Sequence, residues 1–194
     1  CGNLVAAAYL DPFGDLYDGT VGGTIELYDF DNASGLLSCN QVIAQNSNGF
    51  YGVEFSPNGE LLYATASGGR LYQFDLLAGN TDEISNSMTL ISIQDNTTGG
   101  YWALQLGPND KIYIAKASGA TQAMVESLAS IENPNNLGLD CNFIEFSIYL
   151  TAGGDCEAGL PSFVRSYDCL QSYNTSCLQF SSSNYCFGES TFFN

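Results

Sequence analysis

The chain has 194 residues, room for one packed domain or one and a fraction, and its 45% apolar content is that of a globular protein. Twenty-one acidic side chains stand against four basic ones with no histidine, a formal charge of −17. That surface repels phosphate and so excludes nucleic acid and anionic membranes as partners; it suits a soluble exported protein, or one that collects Ca²⁺ or basic partners.

In chain order, alternation and turn chemistry predict a series of short strands. Leu4 to Leu10 is the first, followed by a loop bearing Asp11, Asp15 and Asp18. Thr24 to Phe30 and about Cys39 to Gln45 are the next two strands, separated by Asp29-Phe-Asp31-Asn32 and a Ser-Gly turn. A complete four-strand unit follows: residues 51 to 56, Leu61 to Ala66, Arg70 to Asp75 and Met88 to Ile93, with a loop at Ala78 to Glu83. Its first hairpin turns on Pro57-Asn58-Gly59, where proline presets φ and Asn and Gly tolerate positive φ. A second unit runs from about 101 to 149. Within it, residues 121 to 132 carry Met124, Leu128 and Ile131 at helical spacing, but their place in the unit is that of a third strand. Leu160 to Ser166 opens a further unit, and beyond Tyr167 the composition turns to Cys, Ser, Asn and Tyr.

The units are echoes of one another. Tyr51-Gly-Val-Glu-Phe-Ser-Pro-Asn-Gly-Glu-Leu-Leu-Tyr-Ala-Thr-Ala-Ser67 resembles Trp102-Ala-Leu-Gln-Leu-Gly-Pro-Asn-Asp-Lys-Ile-Tyr-Ile-Ala-Lys-Ala-Ser118, with Pro57 and Pro108 51 residues apart. Tyr28 and Phe30 likewise match Tyr72 and Phe74 at an offset of 44. Self-similarity at this period marks a β-structure assembled unit by unit. The predicted fold is all-β, a partial or small β-propeller of four-stranded antiparallel blades over residues 1–167, followed at 168–194 by a linker and the start of a second β-module.

Seven cysteines, at 1, 39, 141, 156, 169, 177 and 186, form no Cys-x-x-Cys pair, and without histidine a Cys/His zinc site is excluded. Disulfides in an oxidising compartment are the economical reading, with at least one thiol unpaired or bridged outside the segment. No run of eighteen apolar residues exists, so no transmembrane helix is expected. The opening Cys1-Gly-Asn-Leu reads as a mature fragment or a piece of a longer protein.

Several phrases together carry a family likeness: Phe30-Asp-x-x-Ser-Gly-Leu36, Tyr51-Gly-Val-Glu-Phe-Ser-Pro-Asn-Gly-x-x-Leu-Tyr63, Leu71-Tyr-Gln-Phe-Asp75, Ala103-Leu-Gln-Leu-Gly-Pro-x-x-Lys-Ile-Tyr113, Ile131-x-Asn-Pro-Asn135 and Gly159-Leu-Pro-x-Phe-Val164. In this order they resemble the WD40-like or YVTN-like β-propeller of large exported, type IX secretion-type surface proteins of the Bacteroidota. Cys186-Phe-Gly-Glu-Ser-Thr-Phe192 is similar to the start of a PKD or Ig-like module. The resemblance implies an extracellular or cell-surface location. It also implies a bridge between Cys141 and Cys156, because similar sequences carry a cysteine after the Asn-Pro-Asn phrase together with one before Gly-Leu-Pro. Early blades, downstream modules and a sorting signal are not matched.

Without histidine, Ser/His/Asp and Cys/His nucleophilic systems are excluded within the segment. A carboxylate pair such as Glu54 and Glu26 is the remaining route to acid–base chemistry, but both sit on predicted strands where they read as surface. The one cofactor suggested is Ca²⁺, on the oxygens of Asp11, Asp15 and Asp18 or of Asp29 to Asn32, although neither loop has EF-hand spacing and Asx residues favour turns regardless. Most of the twelve Tyr and twelve Phe sit at alternating strand positions and read as packing between blades. Tyr51 and Trp102, at equivalent positions beside the first strands, are the candidate ligand-binding residues. Asn32, Asn96 and Asn174 match the N-glycosylation pattern, which in a bacterial protein reads as coincidence. The expected function is that of a non-catalytic extracellular binding or scaffold domain engaging protein or glycan. The alternatives are a hydrolase or lactonase-like propeller whose catalytic residues lie elsewhere, and a structural spacer or assembly subunit.

Overall fold

The computed structural model describes residues 3–10, 22–45, 49–94, 100–117, 126–150 and 158–160. Eleven strands run in chain order: β1 (Leu4–Ala8), β2 (Thr24–Asp31), β3 (Leu36–Gln45), β4 (Phe50–Phe55), β5 (Leu61–Ala66), β6 (Arg70–Asp75), β7 (Thr89–Ile93), β8 (Gly100–Leu106), β9 (Ile112–Ala117), β10 (Ser127–Ile131) and β11 (Phe143–Tyr149). They form three antiparallel meanders: a first sheet β1-β2-β3, a second β4-β5-β6-β7 and a third β8-β9-β10-β11. The chain is thus all-β as expected, and among the described residues the sheets do not close into a ring. The 167/168 boundary and the second module lie outside the described residues.

Strands β5 and β6 occupy the predicted residues, because β5 is buried on both faces, β6 carries the buried Leu71, Gln73 and Phe74, and the flanking turns are chemically explicit. The stretch with helical spacing before Ile131 contributes β10 instead, since its edges are taken by β9 and β11. The loop expected at Ala78 to Glu83 holds a short helix, α1 (Thr81–Asn86). Asn80 caps it by accepting from the amides of Asp82 and Glu83, and the Glu83 carboxylate accepts from the Asn80 amide at 2.8 Å. This reciprocal cap is the Asn-x-x-Glu pattern of a helix start.

The 51-residue echo holds only as far as the first hairpin of each four-stranded sheet. In the second sheet the Ser56 amide donates to Leu61 O, whereas in the third the Gly107 amide donates to Lys111 O, one residue sooner. The left-handed turn positions are Gly59 (φ 74°) and Asp110 (φ 61°), so the residue dropped lies just after them. Beyond the turn Ile112 therefore matches Leu62, and Ile114 matches Ala64, at an offset of 50. Leu62 pairs with Phe55 as Ile112 pairs with Leu106. A one-residue slip reverses every side chain in a strand, so the shorter turn is what keeps the isoleucines inside.

Two apolar layers fill the spaces between the sheets. Ile25, Leu27 and Ile43 of the first sheet meet Phe50, Leu62, Ala64, Ala66 and Phe74 of the second. Leu61, Tyr63, Leu71 and Ile91 meet Leu104, Ile112, Ile114, Ala129 and Ile131 between the second and third. The two pairs of sheets stand in the same relation. β1 lies beside β4 as β5 lies beside β8, and α1 packs on β3 as the short 3₁₀ turn Gly138–Cys141 packs on β7.

A surface ion pair closes the β9–β10 side of the third sheet. The Lys111 ammonium donates to the Glu132 carboxylate, which also accepts from Ser130 Oγ at 2.6 Å. These two donors, Lys111 foremost, hold the Glu132 carboxyl below its usual range. A depressed folded-state value means the stabilisation is present above the ordinary Glu range near pH ~4.3 and is lost as pH falls through the lower folded value. Glu132→Gln is accordingly expected to lower the melting temperature by about 2 °C at neutral pH and to have no effect at about pH 2. Thermal melts of both chains across this range check it.

Candidate functional site

Strand β8 pairs with β9 on one edge; among the described residues its other edge is met by Ala158 O, which accepts from the Ala103 amide at 3.1 Å, and by side chains of the second sheet. The Thr65 hydroxyl donates to Trp102 O at 2.5 Å and accepts from the Gly52 amide at 3.0 Å. The Leu106 amide donates to Glu54 Oε2 at 2.9 Å, and Glu54 Oε1 accepts from the Phe55 amide at 3.0 Å. Glu54 thus serves as a backbone clamp across the seam. Gly52 sets the closeness of approach: a Cβ there would lie 2.6 Å from Trp102 O and 3.2 Å from Ala103 Cα.

Beside this close contact stand the two aromatic residues picked out by their equivalent positions. Tyr51 and Trp102 meet edge to face, ring centroids 4.8 Å apart and planes at 86°. Tyr51 is 40% exposed. The Trp102 ring is half-buried, and its indole Nε1 is shielded from water without a hydrogen-bond partner. A buried donor without a partner is uncommon in a folded protein and sets this aromatic contact apart from the others.

The far end of the same interface is a closed polar clamp. Tyr63 OH donates to Pro134 O at 2.9 Å and accepts from Gln73 Nε2 at 2.7 Å. Gln73 Nε2 also donates to Asn136 O at 2.8 Å, and Gln73 Oε1 accepts from the Gly138 amide at 2.7 Å. The Asn58 amide donates to Asn135 Oδ1 at 3.1 Å. Gln73 and Tyr63 are fully buried, and burial pushes the Tyr63 phenol well above its ordinary range. The Asn-Pro-Asn phrase, which in the sequence reads only as a family mark, is therefore the loop by which the third sheet grips the second.

A second buried polar group, centred on Lys116, was not legible as a site. Lys116 is fully buried on β9; its ammonium donates to Glu145 O at 2.7 Å and lies 3.9 Å from the centroid of the Phe146 ring. Gln94 Nε2 donates to Glu145 Oε1 at 3.4 Å, and Tyr101 OH shares a 3.0 Å hydrogen bond with Ser92 Oγ. Burial pushes the Tyr101 phenol up to about 12. The one available signal was a cation in an apolar strand of a chain that has only four.

Of the other predicted residues, Asp11, Asp15, Asp18 and Cys156 lie outside the described residues, and so does the Cys141–Cys156 bridge. Cys141 is buried in the core layer beside Tyr63. The Asp31 oxygens of the second candidate calcium loop accept from the Ala33 amide and the Ser34 hydroxyl, which hold the carboxyl below its usual range. Those bonds make an Asx turn, the competing explanation for acids in such a loop. Glu26 accepts from Tyr28 OH, Asn40 Nδ2 and Thr24 Oγ1, and it lies in a different sheet from Glu54. Among the described residues no group of three or more His, Cys, Asp or Glu side chains is placed to hold a metal ion, and no helix is long and apolar enough to cross a membrane. The chain matches no protein-family model and no curated protein.

Proposed function

We propose that the chain is a run of β-propeller blades in an exported or cell-surface protein and that it binds rather than catalyses. The ligand, a glycan or a protein segment, is taken at the aromatic seam formed by Tyr51 and Trp102. The propeller reading is supported by the repeated relation between consecutive meanders, in which β1 lies beside β4 as β5 lies beside β8. The binding reading is carried by one observation: the two aromatics at equivalent repeat positions converge at 4.8 Å, one of them exposed and the other with a spare shielded N–H. A sugar ring packs its C–H groups on the electron-rich face of an exposed aromatic ring, and an apolar side chain of a protein loop packs on the same surface. The absence of histidine and the commitment of Glu54 to backbone amides support the non-catalytic part.

Trp102 is the single tryptophan, so its fluorescence reads this site alone. Titration with a panel of neutral oligosaccharides is expected to give a saturable change in emission for at least one of them. Tyr51→Ala should weaken that binding by about tenfold or more while shifting the melting temperature by no more than about 3 °C, because Tyr51 lies outside the two buried core layers. No saturable change with any oligosaccharide would remove the glycan as ligand. Equal affinity in the Tyr51→Ala chain would remove the site.

A further inference from the structure

The repeat makes it possible to ask of each sheet what its neighbours would cover. On the face turned toward the preceding sheet, the second sheet presents Ala64, Ala66, Tyr72 and Phe74, and the third presents Ile114, Lys116, Ala129 and Ile131. All of these except Tyr72 are buried. The register of the first sheet puts Val5, Ala7, Tyr28 and Phe30 at the same places. Val5 pairs with Tyr28 as Ala64 pairs with Tyr72, and Ala7 pairs with Glu26 as Ala66 pairs with Arg70. None of these four is buried. Leu37, opposite Phe30, is 53% exposed, and Val42, opposite Glu26, is 41% exposed.

The edge of β1 tells the same story. β5 and β9 are flanked by β4 and β8, whereas among the described residues β1 pairs with β2 alone. The Tyr9 amide donates to Thr24 O and the Phe30 amide to Asn3 O, so the amides of Leu4, Ala6 and Ala8 point to the other edge. At the matching place in the second sheet the Ser67 amide donates to Gly49 O, just before β4. Glu26, the one charged group among the described residues of this face, accepts from three donors within the sheet and brings no unmet hydrogen bond into an interface.

We infer that this face and edge are a docking surface for one further unit of the same repeat. That unit supplies a first strand that pairs with β1 and a preceding sheet whose residues at the positions of Leu61, Tyr63 and Leu71 cover Val5, Tyr28, Phe30 and Val42. The occupant is specified by continuity, because the same positions already form both existing sheet-to-sheet interfaces. The inference extends the repeat relation and is independent of what Tyr51 and Trp102 bind, so a negative binding titration leaves it standing.

The test adds the occupant to the whole chain. A copy of residues 49–109 placed directly ahead of Cys1 brings a full sheet and a first strand, and Gly107-Pro-Asn109-Cys1-Gly2 then spans the hairpin in the same length as Gly107 to Lys111. Hydrogen exchange at Leu4, Ala6 and Ala8 is expected to slow by about a hundredfold or more in the extended chain relative to the 194-residue chain. Phe30→Asp should shift the melting temperature of the 194-residue chain by less than about 2 °C and lower that of the extended chain by about 8 °C or more. Equal exchange at the three amides in both chains would overturn the inference. So would protection that is already present in the 194-residue chain and rises with its concentration, since the occupant would then be a second copy.

Discussion

Replacing Gln73 with alanine is expected to destabilise the chain by about 3 kcal/mol or more. The side chain is buried and makes three hydrogen bonds, two of them to the backbone of the Asn-Pro-Asn loop. Its loss leaves the Gly138 amide and Asn136 carbonyl without that partner, at about 1–3 kcal/mol for a buried orphan, and adds a cavity. Gln73→Leu separates the two terms by restoring volume without donors or acceptor, and about 2 kcal/mol of the loss should remain. Urea titrations with an unchanged m-value measure both. A loss under about 1 kcal/mol for the alanine variant would mean that the loop is held by other contacts.

Gly52→Ala is the second large effect, expected to cost about 2–4 kcal/mol. The new methyl would press on Trp102 O at 2.6 Å and on Leu104 Cδ1 at 2.9 Å. Backbone cannot turn aside as a flexible side chain does, so β4 and β8 must separate. The Thr65 bridge to Trp102 O and the Glu54 bond to the Leu106 amide would stretch with them. The single tryptophan reports this directly, through red-shifted emission as water reaches the indole. Gly59→Ala is the control, since that glycine has φ 74° but open space around it. It should lose only about 1 kcal/mol, the strain of a left-handed residue. Similar losses at the two glycines would show that close approach at Gly52 is not what sets the seam.

Much of the fold could be read from alternation and turn residues, because β5 and β6 lie between chemically explicit turns. Sheet membership followed from the echoes, which depend on pattern alone. What escaped depended on contacts between distant residues or on a short turn. The Asn80 and Glu83 cap was visible in the sequence, yet a six-residue helix has too few turns for apolar periodicity to reveal it. The one-residue difference between the Pro57 and Pro108 hairpins hides behind an echo that stays continuous by eye. At the candidate site, Tyr51 and Trp102 were legible as equivalent positions, but their meeting rests on how nearly two sheets approach at Gly52. The buried Lys116 was not legible, because its acceptor is the backbone carbonyl of Glu145, and a carbonyl leaves no mark in the sequence.

The central structural claim is that side-chain-to-backbone bonds between sheets, carried by the repeat phrases, make the second and third sheets one cooperative unit. Native-state hydrogen exchange at the Gly138 and Leu106 amides tests it most directly, since each donates to a side chain of the other sheet, Gln73 and Glu54. Both amides should open only with the global transition, at the same free energy as the amides of Leu62 and Phe74 in the core strands. Exchange at Gly138 and Leu106 at the rate of an open loop, while Leu62 and Phe74 stay protected, would show that the sheets fold separately and would contradict the claim.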